Sequence, residues 1–318
     1  MGPPLDRAVP HFAGPPFVFV GGAVETTDAV LKGLMEATNL TVAVAFVPHV
    51  AQEARRRHQL ELVSAALLGQ AFAGAAVMAA LQKGSSRLNL QLECDGALRG
   101  LFVDAGADGT MRGYVKNQLV GVELGREFRW RAALGNRGFL SVLRDLGHEY
   151  YRSSVELTAF ELAGDLNHFF ETSEQVKTHL AIASAPRGDE PLGKVAAVLV
   201  QALPEGELSV LERLRVTLQP SLEAALADSA VIDAETLFAR LFPGVAVALR
   251  TPARFACTCS KARTLETLRS LGRAQVQDII DTAGSTAVTC HFCASRYEVT
   301  LPDLLTLLGE LTQGEPKN

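Results

Sequence analysis

Ala256-Cys257-Thr258-Cys259-Ser260 and Thr289-Cys290-His291-Phe292-Cys293-Ala294 hold four of the chain's five cysteines as two close pairs, with thirty residues between them. Two thiol pairs held apart by a helix-length insert can make a tetrahedral sulfur site. Zn²⁺ imposes no geometry of its own, and structural zinc sites commonly take two ligands from each of two short turns. Cys-x-x-Cys is the usual spacing for such a turn. Cys-x-Cys is tighter than most zinc knuckles use, and a pair that close can, with some strain, close a disulfide on itself. Spacing alone therefore leaves two readings open: a permanent structural zinc site, and a redox switch. His291 lies between two of the thiols, but four thiolates complete the shell without it.

Composition narrows the rest. A chain of 318 residues, 48% of them hydrophobic, has material for about two folded domains and a large core. The net charge of −5 argues against a general nucleic-acid binder, which needs clustered Lys and Arg to release counterions. Five cysteines do not make a disulfide framework for a chain of this length, so we expect clustered thiols in a reducing cytosol. Met1–Pro16 has no basic segment leading into an apolar stretch, so no secretory signal is expected. Leu62–Gln82 carries no formal charge over 21 residues, and Arg55, Arg56 and Arg57 lie just before it. It is long enough to cross a bilayer. Eight of its residues are Ala, however, and Gly69 and Gly74 are among the others, which weakens lipid transfer and suits close packing; a buried core helix is the better reading.

Three regimes follow along the chain, giving an α+β architecture: a sheet-rich domain over 1–203, a helical linker over 204–256 and a small zinc-binding module over 257–318. In the first, Phe17–Val24 and Thr41–Val47 read as strands. Leu88, Leu90 and Leu92 alternate with polar residues as in a third, and Ala97–Asp104 and Met111–Val115 flank a turn at Ala107-Asp108-Gly109. These suggest an antiparallel sheet with helices on it. Val155–Thr172 is partly helical in pattern, and Leu180–Ser184 with Val195–Leu203 reads as a hairpin. In the second regime, Glu205–Leu218 and Leu222–Leu241 read as charged amphipathic helices separated at Gln219-Pro220, followed by one short strand over Val245–Leu249. Helical spacing returns in Ala262–Leu271 and Val276–Asp281.

Two other features call for ordinary readings. Gly188-Asp189-Glu190-Pro191-Leu192-Gly193-Lys194 matches the spacing of a phosphate-binding loop. Val195 replaces the Ser or Thr that would hold Mg²⁺, Pro191 lacks an amide donor, and a strand follows where a helix should, so we expect a hairpin connection. Cys94 has acidic neighbours on both sides, which raise a thiol's pKa, and reads as an unreactive packing residue.

At the cysteines and beyond, the chain resembles a known family. Cys257-Thr258-Cys259-Ser260, Asp278-Ile279-Ile280 and Val288-Thr289-Cys290-His291-Phe292-Cys293 with Tyr297 are similar to the zinc module of the redox-regulated thirty-three-kilodalton heat-shock chaperonins. Ala54-Arg55-Arg56-Arg57-His58, Cys94-Asp95-Gly96-Ala97-Leu98, Asp108-Gly109, Arg112-Gly113-Tyr114-Val115 and Ser173-Glu174-Gln175-Val176 resemble that family's sheet domain, and Leu237–Phe242 the end of its linker. Ala294 departs from the pattern, since the family often has Gly or Asn after the last cysteine. The resemblance implies an ATP-independent holdase of the stress response, with no catalytic residues. It implies that the protein is inactive while Cys257, Cys259, Cys290 and Cys293 hold one zinc. Oxidation would pair Cys257 with Cys259 and Cys290 with Cys293, release zinc and unfold the linker. Its partners would be unfolding client proteins in the cytoplasm, with neither nucleic acid nor membrane, and the oxidised form could be a homodimer.

Rival classes fare worse on the residues. Positions 251–300 hold six Lys or Arg against four Asp or Glu, which is no basic stripe for nucleic acid. A thiol oxidoreductase would need a thioredoxin-like strand-to-helix setting for Cys290 and Cys293, whereas here a second cysteine pair completes a metal shell. A static structural zinc module on a protein-interaction domain remains the alternative to the switch.

Overall fold

The computed structural model describes residues 28–82, 86–121, 130–147, 149–174 and 176–313; the strand expected over Phe17–Val24 and the segment Met1–Pro16 lie outside these. Strand β1 (Ala29–Met35) passes through a 3-10 turn into β2 (Leu40–Phe46), and helices α1 (Pro48–His58) and α2 (Leu62–Ala80) follow. Next come β3 (Arg87–Cys94), β4 (Gly100–Gly106), β5 (Thr110–Val115), the short α3 (Arg131–Leu134), β6 (Gly138–Asp145), β7 (Tyr150–Glu156) and α4 (Leu162–Thr172). The hairpin β8 (Thr178–Arg187) and β9 (Glu190–Ala202) leads to α5 (Leu208–Ala227), α6 (Ala234–Leu241), β10 (Val247–Pro252) and β11 (Arg254–Phe255). The remainder is α7 (Lys261–Arg269), α8 (Arg273–Ala283), the hairpin β12 (Thr286–Thr289) and β13 (Arg296–Val299), and α9 (Leu301–Gln313).

The expected α+β class is what these elements form. One sheet has the order β10-β1-β2-β9-β8 and a second β11-β5-β4-β3-β6-β7; all pairings are antiparallel except β11 on β5. The uncharged helix α2 lies between them, buried at every residue from Val63 to Ala79. It is long and apolar enough to span a membrane, but here it is a core helix. Its glycines are sites of close approach: a Cβ at Gly69 would meet Ala51 Cβ at 3.0 Å, and one at Gly74 would meet Ile182 Cδ1 at 3.0 Å. Leu88, Leu90 and Leu92 of β3 point into the same core, as their alternation implies.

The opposite face of the first sheet carries α5 and α6. Leu211, Leu218, Leu222, Leu237 and Phe238 pack there on Leu31, Val44, Phe46, Val198 and Val200. Two expectations are corrected in this region. Pro220 does not separate two helices, because α5 runs through it. A mid-helix proline costs about 3 kcal/mol or more, but Leu218, Leu222 and Leu226 on either side are buried against the sheet, and that packing holds the helix together. The break falls instead between Asp228 and Asp233, where the Asp233 carboxylate caps α6 by accepting from Thr236 N at 2.8 Å. The end of the 204–256 segment is also more than one short strand: β10 pairs with β1, and β11 enters the second sheet beside β5.

Strands β1, β6 and β7 were not anticipated. Lys32 and Gly33 interrupt the apolar pattern of β1, and β7 is an edge strand with most residues exposed. The partly helical Val155–Thr172 is the end of β7 followed by α4. The phosphate-loop lookalike is a tight hairpin turn, with Arg187 paired to Glu190 and Gly188 at φ 59°. Its lysine has a different task. Lys194, 4% exposed, donates from Nζ to the backbone oxygens of Leu226 at 2.8 Å and Asp228 at 2.6 Å, fastening the end of α5 to β9.

Lys194→Ala leaves both carbonyls without this donor and should destabilise the folded protein by about 1–3 kcal/mol, seen as a lower urea midpoint. An unchanged midpoint would show that the lysine does not anchor the helix.

Candidate metal centre

Each cysteine pair is positioned by a different kind of local structure. The ladder between β11 and β5 continues past Phe255, with Ala256 N donating to Met111 O at 2.8 Å, so Cys257 leaves the second sheet from a fixed point. Cys259 lies directly before α7, whose N-cap Ser260 accepts from Arg263 N at 3.2 Å. The second pair sits in the turn between β12 and β13, closed by Cys290 N donating to Ser295 O at 2.9 Å and Ala294 N to Cys290 O at 2.8 Å. Ala294 has φ 56°, the left-handed region in which a Cβ costs roughly 1–2 kcal/mol. Gly or Asn suits such a position better, which gives the departure at Ala294 a physical meaning.

The four sulfurs lie within 4.8 Å of one another. Cys257 Sγ is 3.8 Å from Cys290 Sγ, and Cys259 Sγ is 3.3 Å from Cys293 Sγ. A tetrahedron with zinc–sulfur bonds of about 2.3 Å separates its sulfurs by about 3.8 Å. The donor set therefore fits a tetrahedral thiophilic ion, and these residues could hold one metal.

Hydrogen bonding divides the thiols. Burial opposes ionisation of Cys293, but the hydroxyl and amide of Ser295, with Cys259 and Cys290 adding to them, outweigh it and hold the thiol down to about 7. Burial pushes Cys259 up to about 12, against the hydrogen bond from Tyr297. Tyr297 Oη lies 3.0 Å from Cys259 Sγ, and that contact raises the phenol to about 12, so it stays protonated as a donor. Burial also raises Cys290. Arg112 reaches the centre from β5, with Nη1 at 3.8 Å from Cys257 Sγ and 3.2 Å from Thr258 Oγ1. Its Nε is held at 2.8 Å by the buried carboxylate of Asp104, which also accepts from Arg87 and Asn89.

All four cysteines expected as ligands come together, and Cys94, at the end of β3, is not among them. Burial raises its thiol pKa, with Asp95 and Glu93 adding to the effect. His291 is not in the group either, and its ring lies 6.1 Å, centre to centre, from that of Tyr114. The motif reading missed the roles of Arg112 and Ser295. Ser295 could have been suspected from its place two residues after Cys293, whereas nothing in the linear pattern links Arg112 to a thiol 145 positions away.

Comparison with known proteins agrees with this arrangement. The family model described as "Hsp33 protein" matches residues 28–300. A "33 kDa chaperonin" of a Cyanothece species is 32% identical over 301 residues, covering 89% of this chain and 97% of that protein. The "33 kDa chaperonin" of Gloeobacter violaceus is 34% identical over 282 residues, covering 82% and 88% respectively. Among solved structures, the 33 kDa chaperonin of Thermotoga maritima superposes with a TM-score of 0.73 at 25% identity, over 91% of this chain and all of that one.

The cluster has a pH signature when reduced and free of metal. Cys293 ionises below the ordinary thiol value of 9.0, so its charge stabilises the folded module fully above that value, and the contribution is lost as pH falls through about 7. Thiolate absorbance should show one group titrating at about 7 that disappears in Cys293→Ser and moves upward in Ser295→Ala. A titration with no thiolate forming below the ordinary range would overturn the assignment.

Proposed function

Since the chain belongs to the Hsp33 family of chaperones, we propose that it is a redox-regulated, ATP-independent holdase whose switch is the four-cysteine centre. The observation that carries this reading is the convergence of Cys257, Cys259, Cys290 and Cys293 within 4.8 Å, at a point tied to the second sheet by β11 and Arg112. In the reduced form these thiolates hold one zinc ion, which supplies a tetrahedral crosslink between the two arms. The working division is a chaperone domain over 1–203, a linker over 204–256 and a switch module over 257–318. The protein works in the cytoplasm on unfolding client proteins. It acts by binding rather than catalysis, and neither nucleic acid nor membrane takes part.

The module's own apolar core is small: Leu268, Val276, Val299, Leu304 and Leu307 are buried, with partly buried side chains such as Ile279, Ile280 and Val288 packed against them. Structural zinc contributes an apparent 10–16 kcal/mol, roughly, to the folding of small domains, so a module with this core depends on its crosslink. Oxidation withdraws the ligands. Each disulfide forms as two thiols give up two electrons and two protons to a peroxide, which becomes two waters. Cys257 with Cys259 and Cys290 with Cys293 are the pairs we assign. Loss of the module then frees β11 and β10, the strands that join it to α6, and α5 and α6 can leave the apolar face of the first sheet. That face is exposed to clients, and in the oxidised form it can pair with a second copy.

Two measurements test the centre and the switch. Cobalt substitution of the reduced protein should give a tetrahedral, all-sulfur spectrum at one ion per chain; a spectrum unchanged in Cys290→Ser would remove the assignment. Peroxide with mild heat should release zinc, make α5 and α6 sensitive to protease, and suppress aggregation of an unfolding test protein equally with and without ATP. Suppression with α5 and α6 still protected would break the proposed coupling. Zinc release with no suppression would leave a static structural site.

A further inference from the structure

On β4 and β5, Leu101, Val103 and Met111 are buried toward α2, so alternation puts Phe102, Arg112 and Tyr114 on the sheet's other face. The Phe102 and Tyr114 rings stack there at 6.0 Å with 14° between their planes. Phe292, in the turn between Cys290 and Cys293, stands edge-on to both, at 5.6 Å from Phe102 and 5.7 Å from Tyr114. The Arg112 guanidinium lies 4.3 Å from the centre of the Phe292 ring. His58, at the end of α1, places Nε2 3.2 Å from Phe292 O.

Nothing in the thiol centre calls for an aromatic residue at this position, since the ligands are its neighbours. Nor does Phe292 belong to the module's own hydrophobic core. Its ring is received by groups of the sheet domain, and so is its carbonyl. These groups read only an aromatic side chain and a main-chain oxygen, both of which any unfolding chain presents.

We propose that Phe102, Tyr114, Arg112 and His58 form a binding site for aromatic residues of unfolding client segments, and that Phe292 occupies it as an internal stand-in while the module is folded. This rests on the holdase reading and adds a second client surface, on the other sheet from the one that α5 and α6 cover. The site opens when the turn that carries Phe292 unfolds.

The test uses the full-length reduced protein and a fluorescein-labelled, unstructured Gly/Ser peptide containing one Phe, beside the same peptide with Ala. Reduced Phe292→Ala and oxidised wild type should each bind the Phe peptide about tenfold more tightly than reduced wild type, a factor in keeping with two aromatic contacts and one cation–π contact. The Ala peptide should show no such gain. Adding Tyr114→Ala to either form should abolish the gain. Should Phe292→Ala also loosen the module, the site is vacated all the same, and the Tyr114→Ala background still reads it. A gain that survives Tyr114→Ala, no gain in Phe292→Ala, or self-association of that variant without peptide binding would overturn the proposal. If oxidised wild type suppresses aggregation while peptide binding ignores Tyr114, the site is wrong and the redox switch stands. If Phe292→Ala gains binding through Tyr114 but oxidised wild type does not, the site stands and the switch reading fails.

Discussion

A long helix with no polar face has to be covered on every side, and most of the architecture answers to that constraint. From Val63 to Ala79, α2 has no buried charge and no exposed residue, so one layer cannot satisfy it. The two sheets enclose it, and residues from both join its side chains in one core. At about 25 cal/mol per Å² of apolar surface removed from water, this burial is the main term favouring the fold. Alanine and glycine let the layers approach closely, as the contacts at Gly69 and Gly74 illustrate. None of the four clustered cysteines belongs to that core.

The carboxy-terminal module rests on different physics. Its apolar core is a few side chains, and the ties described between it and the rest of the molecule are local: a two-residue parallel strand, the Arg112 contacts at Cys257 and Thr258, the rings of His291 and Phe292, and the Phe292 carbonyl. Such ties are specific in geometry but small in area. Asp104 makes one of them firm. A carboxylate 3% exposed needs partners to offset its desolvation, and it takes Arg87, Asn89 and Arg112. Arg112 is thereby held where it meets both the thiol pair and the turn opposite.

Between these extremes lie α5 and α6, apolar on the face they bury and fastened at a few polar points. Lys194 holds the end of α5, and the Gln219 amide pairs with both Ile182 N and Ile182 O on the edge strand β8, at 3.1 Å and 3.0 Å. The amide thus stands in for a missing neighbouring strand and protects the edge. The same strand segment that follows α6 enters both sheets before reaching Cys257, so a disturbance at the thiols has a covalent and hydrogen-bonded route to the helices.

The sequence by itself determined the α+β class, the buried character of Leu62–Gln82, the strands with clean alternation and the four cysteines as one group. These follow from local rules: residue type, period and the spacing of ligands along a chain. Pro220 misled, because local propensity at that position is outweighed by the burial of Leu218 and Leu222 on a sheet built from residues far away in sequence. β1 and β7 escaped because one carries Lys32 and Gly33 and the other is an exposed edge, so neither shows the pattern that burial on one face imposes. Only the tertiary structure decided that Lys194 anchors a helix, that Ser295 and Tyr297 sort the thiols, and that Phe292 meets Phe102, Tyr114, Arg112 and His58. Each of those is a meeting of side chains set by how strands and helices pack, and packing distance leaves no trace in the order of residues along the chain.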